Sequence, residues 1–365
     1  MKFQPTPLAL ALAAALGTAV VLPAQALQIT TSATGFDNSA SVTDAEGGSA
    51  TTINNASLGS VSLDQFDSTV GVLMGTTLNL TSTRTQTITV TAVGSGKSSD
   101  NQTTTGTGSS DANISAAGVN STFSTISANG SCTGTKAAGC TSTTSPAATT
   151  TNASLVAAGS LDSYVGGGTV LATLTAPTLT ATQGVGAFPG AESTTYSVKW
   201  EGDVSATYDY LLHAKGSFDG TSQLTLDLDF GTFYLGDPAT DLGFSIFNAS
   251  GDRVGLDLDS ILGSGDTTKL FTNLGLFAGL GAGSSKTFLA SFDTSSLGLF
   301  SASYTLGLSD ADVGASSSRF NNYSLTLNLK GEVRERQSNG IPEPGILGLL
   351  GIGLLGLAMG RRQRR

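Results

Sequence analysis

Alternating apolar and polar residues, abundant glycine and scarce charge predict an all-β chain: two β-sandwich-type modules with an apolar helix at either end. Hydrophobic residues make up 39% of the 365 and charged residues only 12%, while glycine alone contributes 47. Such a chain can bury a core, but it has too few Lys, Arg and Glu to clothe solvated helices. Short strands joined by glycine-rich turns fit instead. The decisive observation is period. Ile88-Thr89-Val90-Thr91-Ala92-Val93 places apolar groups at every second position, which marks a half-buried strand.

Residues 1–26 have the three parts of a secretory signal helix. Lys2 supplies the positive start, residues 8–22 (LALALAAALGTAVVL) the apolar run, and Ala24-Gln25-Ala26 a small-x-small cleavage site. Signal peptidase would cut after Ala26, so the mature chain is expected to begin at Leu27.

Residues 27–215 read as a β-rich first module. Strands are expected around Leu78-Asn79-Leu80, Thr169-Val170-Leu171-Ala172 and Tyr196-Ser197-Val198-Lys199-Trp200. Trp200, in an alternating run, is expected in the core. Residues 95–155 are different: nearly half are Ser or Thr and few are large and apolar, so this stretch reads as a long mobile insertion. It carries Cys132 and Cys140, which export to an oxidising compartment would join as a disulfide pinning one long loop. The set Leu63, Phe66-Asp67, Gly71 and Leu73, then Tyr164-Val165-Gly166 with Gly168-Thr169-Val170, then Ala206-Thr207-Tyr208 with Tyr210, resembles the choice-of-anchor E domain of exported bacterial proteins. That resemblance implies a β-rich module found with interchangeable C-terminal anchors.

Residues 216–335 read as a second module. Leu224-Thr225-Leu226-Asp227-Leu228-Asp229-Phe230 alternates with leucines inward and aspartates outward. About seven short strands over roughly 115 residues match an immunoglobulin-like (Ig-like) sandwich. Residues 270–281 read as a helical turn or loop between strands. The stretch 226–236 and the following Phe244-Ser245-Ile246-Phe247-Asn248 is similar to choice-of-anchor D modules, which implies the same Ig-like fold.

The tail, residues 336–365, holds Pro342-Glu343-Pro344, then an apolar helix over 345–360, then Arg361, Arg362, Arg364 and Arg365. The helix would be about 24 Å long against a hydrocarbon core of about 30 Å. The arginines would stay cytoplasmic, so this C-terminal transmembrane helix halts export with the body outside. Gly345, Gly348, Gly351, Gly353, Gly356 and Gly360 leave faces small enough for close helix contact. The two prolines keep their segment extended and open to a protease. This order at the extreme C-terminus resembles the PEP-CTERM sorting signal. The resemblance implies recognition by an exosortase, a membrane transpeptidase-like enzyme of Gram-negative bacteria that make exopolysaccharide. Pro342, Glu343, Pro344 and the four arginines would then be substrate residues for another protein's active site.

The remaining chemistry is sparse. Net charge is −10. With both ends removed, Lys and Arg fall to 12 against 27 acids, a net of −15, which argues against nucleic acid. His213 has no neighbouring nucleophile pattern and reads as a linker residue, with one His and no CxxC offering no zinc site. Asp227/Asp229 and Asp257/Asp259 are spaced to share a strand face. Asp310/Asp312 and Asp237/Asp241 fall in expected loops and are the better calcium candidates, though none has a known calcium-loop spacing. No metal, cofactor or catalytic residue is assigned. The expected protein is a secreted surface or matrix protein of structural or adhesive role and not an enzyme. It would be an inner-membrane intermediate first and then displayed at the cell surface or in the exopolysaccharide matrix of a biofilm. A carbohydrate- or calcium-binding surface module and a secreted glycosidase stay open as rivals.

Overall fold

The computed structural model describes residues 25–45, 49–320, 323–337 and 352–354. The body is all-β, as expected. Its first strands are β1 Leu27–Thr30, β2 Thr34–Ala45, β3 Thr51–Asp64, β4 Val72–Val93 and β5 Asn101–Ala116. They are followed by β6 Val119–Thr135, β7 Gly139–Thr144, β8 Thr149–Val156, β9 Thr169–Gln183 and β10 Glu192–Leu211. In one sheet, β10 pairs with β4; β1 and β2 flank β10, and β7 and β8 flank β4. The facing sheet runs β3-β9-β5-β6. Leu78, Leu80, Ile88, Val198, Trp200, Leu174 and Leu179 fill the core between them.

The stretch expected to be a mobile insertion is instead strands β5 to β8. The reason lies across the core. The inward positions of β5 are Thr104, Gly106, Gly108, Ser110, Ala112 and Ile114. They are small because the facing sheet supplies the bulk. A Cβ on Gly108 would sit 2.3 Å from the Tyr196 ring, and one on Gly106 2.0 Å from Thr194 Oγ1. The strand satisfies its backbone on both sides, pairing with β6 and β9, so it needs few large apolar groups of its own. Cys132 and Cys140 are joined in a disulfide, but it does not pin a loop. It ties β6 of one sheet to β7 of the other across the turn between them.

The second group of strands begins with β11 Gly216–Ser217, β12 Thr225–Tyr234, β13 Leu242–Asn248, β14 Leu256–Gly265 and β15 Leu270–Thr272. It ends with β16 Phe277–Leu280, β17 Ser285–Phe292, β18 Gly298–Asp310 and β19 Tyr323–Arg334. Residues 270–281 thus carry two short strands, not the expected helical turn or loop: β15 pairs with β17 and β16 with β14. The sheets are β11-β13-β17-β15 and β12-β19-β18-β14-β16, and β12 runs parallel to β19. A second core, with Ile246, Leu258, Phe288, Leu306, Leu327 and Leu329, lies between them.

The two sheet pairs meet around residues 211–215. There Ala315 N–H donates to the Leu73 carbonyl at 2.8 Å and Leu73 N–H to Ser318 Oγ at 3.0 Å. Gly314 makes this approach possible. Its φ is +66°, and a Cβ there would fall 2.0 Å from the Leu73 carbonyl oxygen.

Candidate functional site

The outer face of the five-stranded sheet carries a concave surface. Asp227, Asn328, Ser303 and Ser264 stand in register across β12, β19, β18 and β14. Asn328 Nδ2 donates to Asp227 Oδ1 at 2.7 Å, and Ser303 Oγ donates to Asn328 Oδ1 at 2.9 Å, so the amide is held at both ends. One pleat along the strand, Lys330 pairs with Asp229 at 3.2 Å. The Gly231 N–H and Lys330 hold the Asp229 carboxyl below the usual carboxylate range. This polar row floors a trough of about 450 Å³, which adjoins a second concavity of about 370 Å³ through Lys330. Sequence alternation put Asp227 and Asp229 on one face. Nothing local in the sequence marks Asn328, Ser303 and Ser264, because only the strand register aligns them.

Of the other acids, Asp241 stands exposed just before β13 and Asp259 exposed on β14, while three are engaged by cations or N–H groups. Asp257 accepts from Gly279 N–H at 2.6 Å, Asp237 pairs with Arg336 at 2.8 Å, and Asp312 lies 3.8 Å from Arg319. Among the described residues no group of three or more His, Cys, Asp or Glu is placed to hold a metal ion.

Asp310 is not the loop residue expected. It closes β18 with its side chain 2% exposed and is one centre of the junction. His213 Nδ1 lies 2.6 Å from Asp310 Oδ2, and Nε2 lies 2.7 Å from the Ser68 carbonyl. Nδ1 thus faces a carboxylate and Nε2 a carbonyl, an arrangement that the doubly protonated imidazolium satisfies. Hydrogen bonding to Asp310 raises the His213 pKa, with the Ser68 carbonyl adding to it against desolvation. Ala214 N–H and Phe320 N–H also donate to the carboxylate, at 2.6 and 2.8 Å. His213 is thus a latch that joins the loop before β4, the end of β10 and the end of β18. With both nitrogens engaged, the ring has no free position from which to act as a general base.

At the N-terminal end, Leu27 is the first residue of β1 and stands opposite Tyr210. Ala26 precedes it, and Gln25 N–H donates to Asp252 Oδ1 at 3.1 Å. Ala24 lies outside the described residues, as does the signal helix. At the other end β19 stops at Arg334, and Arg336 packs over the Tyr234 ring at 5.5 Å. Pro342, Glu343, Pro344, Arg361, Arg362, Arg364 and Arg365 also lie outside the described residues. Of the expected helix 345–360, Ile352–Leu354 are described and helical. No helix of the described residues is long and apolar enough to cross a membrane.

Residues 340–365 match the PEP-CTERM protein-sorting motif. The motif is the signal an exosortase recognises, and it marks an exported protein that is handled at the membrane. The match covers the tail alone. No curated protein matches the chain.

Proposed function

We propose that this is a surface or extracellular-matrix protein of structural or adhesive role, released from its leader after Ala26 and processed by an exosortase near Pro344. The observation that carries the reading is the sorting motif at 340–365 placed directly after an all-β body. The position of Leu27 at the head of β1 supports it, because cleavage there removes no strand residue. The choice-of-anchor resemblances and an Ig-like character for the C-terminal sheet pair belong to the same reading. Two facing sheets of short strands support the latter. A non-catalytic role is supported by the state of the polar groups: His213 is bonded at both nitrogens, and Asp227, Asn328 and Ser303 bond to one another.

Intact mass of the protein from supernatant and membrane fractions tests this. The expected species starts at Leu27 and ends near Pro344. Recovery only of a form keeping residues 345–365 in the inner membrane sinks exosortase processing and leaves a plain anchored protein.

A second reading, carbohydrate binding, is favoured by the trough. A fixed row of carboxylate, amide and hydroxyl groups offers sugar hydroxyls both donors and acceptors, in a cavity of ligand size. On a glycan array, this reading expects binding by the wild-type body and at least about tenfold weaker binding on Asn328→Ala, in line with loss of one buried polar contact. An array with no wild-type signal removes the reading.

A further inference from the structure

The geometry points to a division of mechanical labour: the C-terminal sheet pair is a shear clamp that bears load between the tail and the rest of the chain, and the N-terminal sheet pair is the part that yields. This rests on the reading that the tail tethers the chain while the N-terminal sheet pair is engaged outside.

The difference lies in where each sheet pair begins and ends. In the N-terminal pair, β1 is antiparallel to β10, and Leu27 stands opposite Tyr210. Chain entry and exit are therefore neighbours. Tension applied through them opens the β1–β10 ladder from its end, one pair at a time, and each hydrogen bond meets the load alone.

The C-terminal pair has the opposite arrangement. Its chain enters through the two-residue β11, held to β13 at Gly216–Asn248 and Ser217–Phe247 and so the first to give, and runs on into β12 at Thr225, opposite Thr326 near the start of β19; it leaves at Arg334, opposite Tyr234 at the end of β12. Tyr323 OH donates to the Gly216 carbonyl, which fixes the start of β19 at the junction. Arg334 then lies about 36 Å away along the strand. Because β12 and β19 are parallel, forces on Thr225 and Arg334 slide one strand along the other. Every rung from Thr225–Thr326 to Tyr234–Arg334 is loaded together.

Side chains brace the same seam. Asn328 donates to Asp227 at 2.7 Å, Lys330 pairs with Asp229 at 3.2 Å, and Thr232 Oγ1 donates to Glu332 Oε2 at 3.1 Å. Sliding must also drag Leu226 and Leu228 across the core they pack against. On its other flank β19 is held by the antiparallel ladder to β18, from Gly298–Val333 to Leu308–Tyr323. The load-bearing strand that leads to the tail is thus an inner strand of its sheet, and β12 is the strand that must slip.

Single-molecule force spectroscopy on the mature chain, 27–344, tests this with no change of fold. One preparation carries handles at its two termini. The other carries a handle on Thr240→Cys, an exposed site just past β12, and one at the C-terminus. The second attachment pulls β12 and β19 from the same end and converts shear into unzipping. Release of the C-terminal pair is recognised by about 400 Å of new chain, residues 216–334, in end-to-end pulling and by about 320 Å, residues 240–334, in the Thr240 geometry. End-to-end pulling should extend the N-terminal sheet pair first. The C-terminal pair should then rupture at roughly three times the force of the Thr240 geometry at equal loading rate, since several rungs must fail together. Equal rupture forces in the two geometries, or a C-terminal pair that yields first, overturns the clamp. Failure of the tethering reading is seen separately, in the mass of the tail, and leaves these forces unchanged.

Discussion

Replacing Asp310 by alanine should cost about 3–5 kcal/mol of stability, because it strands a buried imidazolium and two backbone N–H groups at once. The carboxylate is 2% exposed and accepts from His213, Ala214 and Phe320. Arg319 and Arg253 hold the same corner by donating to the Asp310 and His213 carbonyls, at 3.0 and 2.8 Å. The pH dependence has a definite sign. The folded-state pKa of His213 is raised above its unfolded value of about 6.5. Its contribution is fully present below about pH 6.5 and is lost as pH rises through the folded-state pKa. Urea melts of the wild type at pH 6 and pH 9 should therefore show the junction weakening at the higher pH, and His213→Gln should flatten that difference. A wild-type midpoint that does not fall between these pH values, or an Asp310→Ala midpoint equal to that of the wild type, shows that the latch does not hold the two sheet pairs together.

Much of the body was legible where strands follow the simple rule. The runs in β4, β10, β12 and β19 alternate cleanly because each buries one face against a core and bares the other. The rule fails for β5. Its inward glycines carry no apolar signal, and their meaning appears only when Tyr196 and Thr194 are seen opposite them. The short strands β15 and β16 resemble a helical turn or loop in sequence because three or four residues are too few to show a period. His213 was legible as a residue between two strand patterns, but not as a latch. Its acceptors come from Ser68 and Asp310, 145 and 97 residues away. The row across the trough was hidden for the same reason, since register between distant strands decides which side chains align. The sorting motif was legible in full because it is local: its prolines, apolar run and arginines need no tertiary partner to be recognised.

Trp200→Ala should lower stability by about 3–5 kcal/mol and should leave any glycan binding untouched. Trp200 is fully buried, so no sugar ring can stack on it. Phe36 and Phe123 meet it edge-on, with ring centroids at 5.4 and 6.0 Å, and its backbone partner on β4 is Arg84. The indole therefore fills the volume that β6 and β2 leave, and truncation opens a cavity among rigid neighbours. Its Nε1 has no hydrogen-bond partner among the described residues, so Trp200→Phe removes volume without stranding an acceptor and should cost clearly less than the alanine change. Arg84 beside it is 1% exposed and makes one hydrogen bond, to the Ser124 carbonyl at 2.8 Å. Burial alone pushes its pKa down. A charge held this poorly contributes little net stability, so Arg84→Met should be neutral or stabilising by about 1–4 kcal/mol. Circular dichroism melts of the three variants measure all of this together. The ordering Trp200→Ala below Trp200→Phe below wild type, with Arg84→Met at or above wild type, supports this account. A Trp200→Ala melt that coincides with the wild type shows that the indole does not pack the N-terminal core.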